Sequence, residues 1–214
     1  MKVCEVFLSI QGEGTRAGLP CVLVRLAECN LRCLWCDSQY AWTNGQDRTV
    51  DQIVDQVREF HCPLVELTGG EPLIQPNTPV LLTRLCEEGF EVLLETNGSL
   101  DIAAADSRVV RIVDFKCPSS GQSEHNRWEN VDQLRRQDEV KFVVANRDDF
   151  IFARQAVMEY KLTDRCAVLF APVQGRVEPA ELASWMLGDP LLPRRARLNL
   201  QLHKLIWPGL ERGA

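Results

Sequence analysis

The sequence predicts an α/β protein with a largely parallel sheet, an incomplete, TIM-like βα barrel that stays splayed open. Three observations lead there. Short apolar runs alternate with helical or polar segments along the whole chain, the pattern of right-handed βα crossovers. The residues least suited to a core come just after those runs: Gln11-Gly12-Glu13, Cys29 to Ser38, Gly69-Gly70-Glu71, Thr96-Asn97-Gly98 and Lys116. The carboxyl ends of parallel strands are where such sheets bind ligands, so these loops are expected to meet around one pocket. Finally, 214 residues is somewhat short for eight βα units, which take ~250. With no linker, repeat or low-complexity segment, one domain over 1–214 is expected.

The elements follow in order. Val3 to Leu8 alternates as a first strand and runs into Ser9-Ile10-Gln11-Gly12-Glu13-Gly14, a segment that by itself reads as a hairpin turn. Pro20 to Leu26 is nearly continuous apolar sequence, as in a strand buried on both faces. Arg25 interrupts it and requires an anionic partner, either a structural carboxylate or that of a ligand. Thr49 and Gln52 make a capping box, and Val50, Ile53, Val54 and Val57 carry the helix to about Phe60. Leu64 to Thr68 is a strand. Thr78 caps the next helix, with Pro79 in its first turn and Gly89 closing it. Phe90 to Leu94 and Val109 to Phe115 are strands, and Lys116 to Gly121 is a loop. Glu124 to Gln137 is expected to be an exposed, mostly polar helix. Strands at Val140 to Val144 and Ala167 to Ala171 flank a helix from Asp149 to Tyr160. A helix from Pro179 to Leu187 and a last strand from Arg197 to Leu202 complete the pattern.

Composition narrows the class. With 45% hydrophobic and 25% charged residues the chain is ordinary globular sequence, and its net charge of -6 argues against a broad nucleic-acid-binding face. No apolar run follows Met1-Lys2, and none approaches the ~20 residues of a membrane span, so neither export nor a membrane partner is expected. Of the nine cysteines, Cys4, Cys21, Cys62, Cys86, Cys117 and Cys166 are scattered, mostly in apolar stretches, as buried free thiols of a cytoplasmic protein.

The other three, Cys29, Cys33 and Cys36, share one short loop and ask for a metal centre. Structural zinc needs a fourth ligand, and His61 and His125 are distant in sequence. An electron-carrying cluster normally has four cysteines, whereas three leave one iron of a 4Fe-4S cube open to another ligand. Three buried structural cysteines remain an alternative, although Asn30, Arg32, Trp35 and Asp37 do not resemble a core segment.

CxxxCxxC at Cys29, Cys33 and Cys36, with the aromatic Trp35 before the last, resembles the signature of the radical S-adenosylmethionine superfamily. Gly69-Gly70-Glu71-Pro72 resembles its GGEP motif. Within that superfamily, Ser9 to Gly14, Gly18-Leu19-Pro20, Val24-Arg25-Leu26 and the run from Cys29 to Ser38 are similar to the 7-carboxy-7-deazaguanine synthase family. Thr68, Glu95 to Gly98 and Gln201 to Lys204 fit it too, so the resemblance spans essentially the whole chain.

The resemblance implies a 4Fe-4S cluster on Cys29, Cys33 and Cys36, S-adenosylmethionine bound beside Trp35, Gly70 and Lys116, and Mg2+ at Ser38. The family's position for that magnesium-binding hydroxyl is commonly threonine. It also implies ring contraction of 6-carboxy-5,6,7,8-tetrahydropterin to 7-carboxy-7-deazaguanine with loss of ammonia, in queuosine and other 7-deazapurine biosynthesis. Ile10, Gln11, Gly12, Arg25 and Thr68 would line the pterin, with Arg25 on its carboxylate. An electron donor such as flavodoxin or ferredoxin and a homodimer are implied as well. Glu13, Glu95, Asn97, His203 and Lys204 are further pocket candidates. Family members bring the carboxyl terminus near the substrate. Here Gly209 to Ala214 follow Pro208, which argues against that role for a terminal carboxylate. Other readings are a glycyl-radical activase, which has no need of Gln11-Gly12 with Arg25, and a non-catalytic metal or redox module.

Overall fold

The computed structural model describes residues 1–210, 212 and 213. Its centre is one nine-stranded sheet in the order β3-β1-β2-β4-β5-β6-β7-β8-β9. The strands are β1 (Lys2–Ile10), β2 (Pro20–Leu26), β3 (Gln46–Asp47), β4 (Leu64–Gly69), β5 (Glu91–Thr96), β6 (Val110–Asp114), β7 (Glu139–Val144), β8 (Ala167–Pro172) and β9 (Arg197–Leu198). From β2 to β9 every pairing is parallel, while β1 runs antiparallel to both β2 and β3. The hairpin expected around Ser9 to Gly14 is therefore present, with Ile10 opposite Pro20. The two edge strands do not pair with each other, so the barrel is open, as the chain length predicts.

The helices are α1 (Val50–Glu59), α2 (Thr78–Glu87), α3 (Arg147–Glu159), α4 (Leu162–Arg165), α5 (Pro179–Gly188) and α6 (Leu202–Ile206). The capping box of α1 is made in both directions: Gln52 N–H donates to Thr49 Oγ1 at 3.2 Å, and Thr49 N–H to Gln52 Oε1 at 2.9 Å. At α2 the cap position falls to Asn77, because Thr78 is buried and spends its hydroxyl on the Pro72 carbonyl at 2.5 Å. α3 begins two residues before Asp149, at an Asn146 cap that accepts from Asp149 N–H.

Two expectations fail for a shared reason. Glu124 to Gln137 is not an α-helix but two short 3-10 turns, Ser123–His125 and Trp128–Gln133. Asn126 holds the Lys116 N–H and C=O, and Asn130 donates to the Gly98 and Leu100 carbonyls. These asparagines bind distant backbone in place of a local ladder, and they turn Trp128 inward to stack on Phe115 (4.6 Å) and Tyr160 (4.7 Å). The last strand, expected through Leu202, stops at Leu198. Asn199 still donates its N–H to the Phe170 carbonyl at 2.8 Å, but its side chain turns to accept from Gly14 N–H at 2.8 Å, and Leu202 starts α6.

Period-two alternation divides the sheet. Outward residues, among them Val22, Val24, Val65, Leu67, Val92 and Leu94, pack under α1 and α2, and Val140, Phe142, Val168 and Phe170 join Phe150 and Leu182 of α3 and α5. Inside the barrel, Cys21, Leu23, Leu64, Leu93, Val110 and Ile112 fill a small apolar plug. Two to four residues further along the same strands come Arg25, Glu66, Thr68, Glu95 and Asp114, and Lys141 joins them from β7. The barrel is thus greasy at its amino-terminal end and charged at the other.

Candidate active site

The charged end opens into a pocket of about 740 Å³. Every site residue named from sequence lines it: Ile10, Gln11 and Gly12 after β1, Arg25 on β2, Cys29, Cys33, Trp35, Cys36 and Ser38 on the next loop, Thr68 and Gly70 at the end of β4, and Lys116 after β6. Glu13, Glu95, Asn97, His203 and Lys204 line it as well.

The cysteine loop is held against the end of β4 by backbone. Gly70 N–H donates to the Leu26 carbonyl at 3.0 Å and Glu71 N–H to the Glu28 carbonyl at 2.8 Å. Glu71 is fully buried, and its carboxylate takes Asn97 N–H (2.7 Å), Leu73 N–H and the Thr96 hydroxyl (2.9 Å each). It thereby ties the GGEP turn to the end of β5. Asn97 in turn donates to Asn30 Oδ1 at 3.0 Å and lies 3.8 Å from Cys29 Sγ. On the outer side Leu34 N–H meets the Ser120 carbonyl, Arg32 lies over Trp42 and Arg176 over Trp35.

All nine cysteines are free thiols; Cys21, Cys62 and Cys117 are buried, and Cys4, Cys86 and Cys166 partly so. Burial raises the thiols of Cys33 and Cys36 above their ordinary value, while Lys116 draws Cys33 back down. Among the described residues no three His, Cys, Asp or Glu side chains converge as they would around a single ion. Thiolates that each hold a different corner of a cube need no such convergence, and three of them beside a lysine suit an anionic iron–sulfur cluster. Ser38 offers the hard oxygen that magnesium prefers, next to the Asp37 carboxylate at 3.1 Å.

Arg25 has found a structural partner: its Nε donates to Glu5 at 2.8 Å, and the Tyr40 hydroxyl meets the same Glu5 oxygen at 2.8 Å. This fixes the guanidinium by one corner. Gln11 is 4% exposed, and its amide is spent on Glu66 and on Glu13 N–H, so its side chain is committed inward. Gly12 lies against His203, whose Nδ1 is 2.2 Å from where a Cβ at Gly12 would sit.

Sequence reading missed the centre of the pocket. Lys141, 5% exposed, pairs with Glu95, with Glu13 at 3.1 Å and with Asp114 at 3.9 Å. Burial alone would lower its ammonium pKa, yet Glu13, Glu95 and Asp114 together hold it well above the ordinary value. Lys116 pairs with Asp114 at 2.8 Å. Glu13 and Glu95 are among the pocket candidates, and the rule that flagged Arg25, a charge interrupting an apolar strand, applies equally to Glu66, Asp114 and Lys141 and would have found them.

An open parallel barrel with three thiols, a glycine turn and a charged pocket at the carboxyl ends of its strands defines an enzyme of the radical S-adenosylmethionine class. A sequence profile of the Radical SAM superfamily matches residues 24–114. The chain is 44% identical over 216 residues to the 7-carboxy-7-deazaguanine synthase of Chlorobaculum tepidum, covering all of this chain and 97% of the relative. It is 41% identical over 229 residues to that of Koribacter versatilis, covering all of both. The crystal structure of QueE from Escherichia coli shares the fold, with a TM-score of 0.72 at 20% identity over 94% of this chain and 93% of that one. The chain belongs to the 7-carboxy-7-deazaguanine synthase family. Its cofactors are a 4Fe-4S cluster, S-adenosylmethionine and Mg2+, and the residues of the pocket fit all three in donor type.

Proposed function

We propose that the chain converts 6-carboxy-5,6,7,8-tetrahydropterin into 7-carboxy-7-deazaguanine, with loss of ammonia, in the pocket at the open end of its barrel. The product feeds queuosine and other 7-deazapurines. The chain acts as one catalytic domain over 1–214, as a cytoplasmic homodimer, with its electron supplied by a carrier such as flavodoxin or ferredoxin. Among the described residues no helix is long and apolar enough to cross a membrane. The observation that carries this assignment is chain-long identity to synthases of that name, joined to the meeting of Cys29, Cys33, Cys36, Gly70 and Arg25 around one cavity.

Cys29, Cys33 and Cys36 would hold the cluster, which when bound would supply one-electron reductive chemistry to S-adenosylmethionine. Gly70 lets backbone approach the methionyl group, while Trp35 and Lys116 flank the rest of the cofactor. Arg25, held at Nε by Glu5, which the Tyr40 hydroxyl in turn fixes, presents its remaining N–H groups to the substrate carboxylate. Ser38 supplies a magnesium ligand on the substrate side. Ile10, Gly12 and Thr68 contact the pterin, and Gln11 shapes that wall through its backbone. His203 and Trp207 line the pocket at its α6 side.

Anaerobic reconstitution followed by incubation with dithionite, S-adenosylmethionine and 6-carboxytetrahydropterin, with and without magnesium, tests the assignment. Formation of 7-carboxy-7-deazaguanine supports it. Failure to form deoxyadenosine under any condition refutes the radical chemistry, and deoxyadenosine without the deazaguanine refutes the substrate. Arg25→Ala should weaken substrate binding with the cluster spectrum intact. A parallel loss of iron would refute the role given to Arg25.

A further inference from the structure

The pocket floor holds more acid than base. Glu13, Glu66, Glu95 and Asp114 face Lys116 and Lys141, and both ammoniums are already paired: Lys116 with Asp114, and Lys141 with Glu13, Glu95 and Asp114. Glu66 makes no ion pair among the described residues, although it is 4% exposed and lines the pocket. The Gln11 amide donates to it, and it faces the pocket from β4 beside Glu95 of the neighbouring β5, the register setting it opposite Leu93, two residues before Glu95. Thr68 and Lys141 hold the other side of Glu95, the threonine hydroxyl at 3.0 Å. Two carboxyl groups side by side on adjacent strands, Glu66 buried and Glu95 partly so, cannot both be ionised at modest cost, and one proton between them turns repulsion into a hydrogen bond.

We propose that Glu66 and Glu95 share one proton on the pocket floor, and that Glu66 is a positioning residue which fixes the Glu95 carboxylate towards the ligand space. Resting on the function proposed above, this adds a residue that neither the motifs nor their resemblance assign.

The surroundings say where the proton resides. Burial and the neighbouring Glu95 raise Glu66 to about 8, against the opposing hydrogen bond from Gln11. Burial would also raise Glu95, but the Lys141 charge, with hydrogen bonds from Lys141, Glu66 and Thr68, brings it down to about 2. The remaining ionisable groups facing the pair are Cys21 on β2, Glu13 after β1, Asp114 on β6 and His203 on α6. Burial raises the Cys21 thiol and lowers the His203 imidazole, so neither carries charge into the pair near neutrality. Glu66 is thus the acid and Glu95 the anion. As pH rises through about 8, Glu66 ionises, the shared hydrogen bond is lost and like charges push Glu95 from its place.

Infrared titration of the cluster-loaded protein tests the pair directly. Glu66→Gln should remove a protonated-carboxyl C=O band from the neutral-pH spectrum, and in the native protein that component should fade with a midpoint near pH 8. No Glu66-dependent band at pH 7 overturns the proposal. Calorimetric binding of 6-carboxytetrahydropterin tests the positioning. Native protein should lose about tenfold affinity between pH 7 and 9, the scale of one buried group left unpaired. Glu66→Gln, whose amide still donates to Glu95, should abolish that dependence, whereas Glu66→Ala should bind about tenfold more weakly at both pH values. Equal alkaline weakening in the native and Glu66→Gln proteins overturns the positioning role. If the pterin binds none of them, the substrate assignment fails while the infrared result still decides the shared proton.

Discussion

Replacing Gly70 with alanine should break the iron site without touching a ligand. A Cβ at Gly70 would stand 2.0 Å from the Glu28 carbonyl oxygen, 2.5 Å from its carbon and 2.9 Å from Cys29 Cβ. Real Cβ atoms keep at least 3.0 Å, so the two backbones must part by about 1.0 Å, that is 3.0 minus 2.0. No flexible side-chain end is available to yield. The latch between these backbones is the pair Gly70 N–H to Leu26 C=O and Glu71 N–H to Glu28 C=O, at 3.0 and 2.8 Å, and such a separation breaks both. Overpacking costs about 1–3 kcal/mol, and two lost hydrogen bonds about 1–3 kcal/mol more. At about 2–4 °C per kcal/mol for a chain of this size, Tm should drop by roughly 5–20 °C. Cys29 moves with Glu28, so iron per chain after reconstitution should fall too. A Cβ added at Gly188, at the end of α5, would meet nothing within 4 Å, and Gly188→Ala is the matched control with little expected effect. Thermal unfolding of the unloaded protein and iron analysis of the reconstituted protein read the two effects. A Gly70→Ala variant matching the control in both would refute the reasoning.

The other expectations lie away from the thiols. Asp138→Ala leaves the Arg111 guanidinium, 1% exposed, without the carboxylate now 2.6 Å away, and should cost about 3–5 kcal/mol in urea unfolding. Asp138→Asn, which keeps an acceptor, should cost less. Trp128→Ala empties the space between Phe115 and Tyr160 and should cost about 3–5 kcal/mol, with loss of near-ultraviolet circular dichroism. Glu66, raised in the folded state from an ordinary 4.5 to about 8, binds more protons folded than unfolded between those values. Its contribution therefore falls as pH rises across that window, and unfolding free energies at pH 5 and pH 8 should differ less in Glu66→Gln than in the native chain. A larger difference in the variant would contradict the sign. Glu95 works the other way: its stabilisation is present above about 4.5 and lost as pH falls towards 2.

The alternation of strands and helices was legible because most elements announce their own ends. Thr49 and Gln52 cap one helix, Pro79 opens another, and glycine turns close strands. Glu124 to Gln137 was illegible for the opposite reason. Asn126 and Asn130 satisfy backbone on Lys116, Gly98 and Leu100, partners that local pattern cannot reveal. The thiol loop and the glycine turn are contiguous and could be read directly, whereas the floor of the pocket is assembled one residue per strand. Glu66, Glu95, Asp114 and Lys141 become a group only when parallel register brings them side by side. Arg25 was read in part: its need for an anion was evident, but not that Glu5, opposite it across the β1–β2 hairpin, meets that need at Nε. The terminal carboxylate belongs to Ala214 and lies outside the described residues.

The barrel leaves β3 and β9 unpaired with each other, and side chains close the gap. Glu13 accepts from Asn199 at 3.0 Å and Gln201 at 2.8 Å, Gly14 N–H donates to Asn199 at 2.8 Å, and Leu202 N–H to the Gly12 carbonyl at 2.9 Å. The side-chain bonds join residues 185 to 188 positions apart in sequence and the Gly12–Leu202 backbone bond spans more still, so all of them carry a high loop-closure cost and are expected to form late. The backbone bonds between the thiol loop and the GGEP turn, by contrast, lie within the first half of the chain, with Ser120 and Arg176 added to the loop's outer side later. On a ribosome the cysteines would emerge and fold into place well before the wall made by Asn199 to Lys204 exists. The opening between the sheet's first and last strands is thus the part of the site whose assembly must wait for the end of the chain.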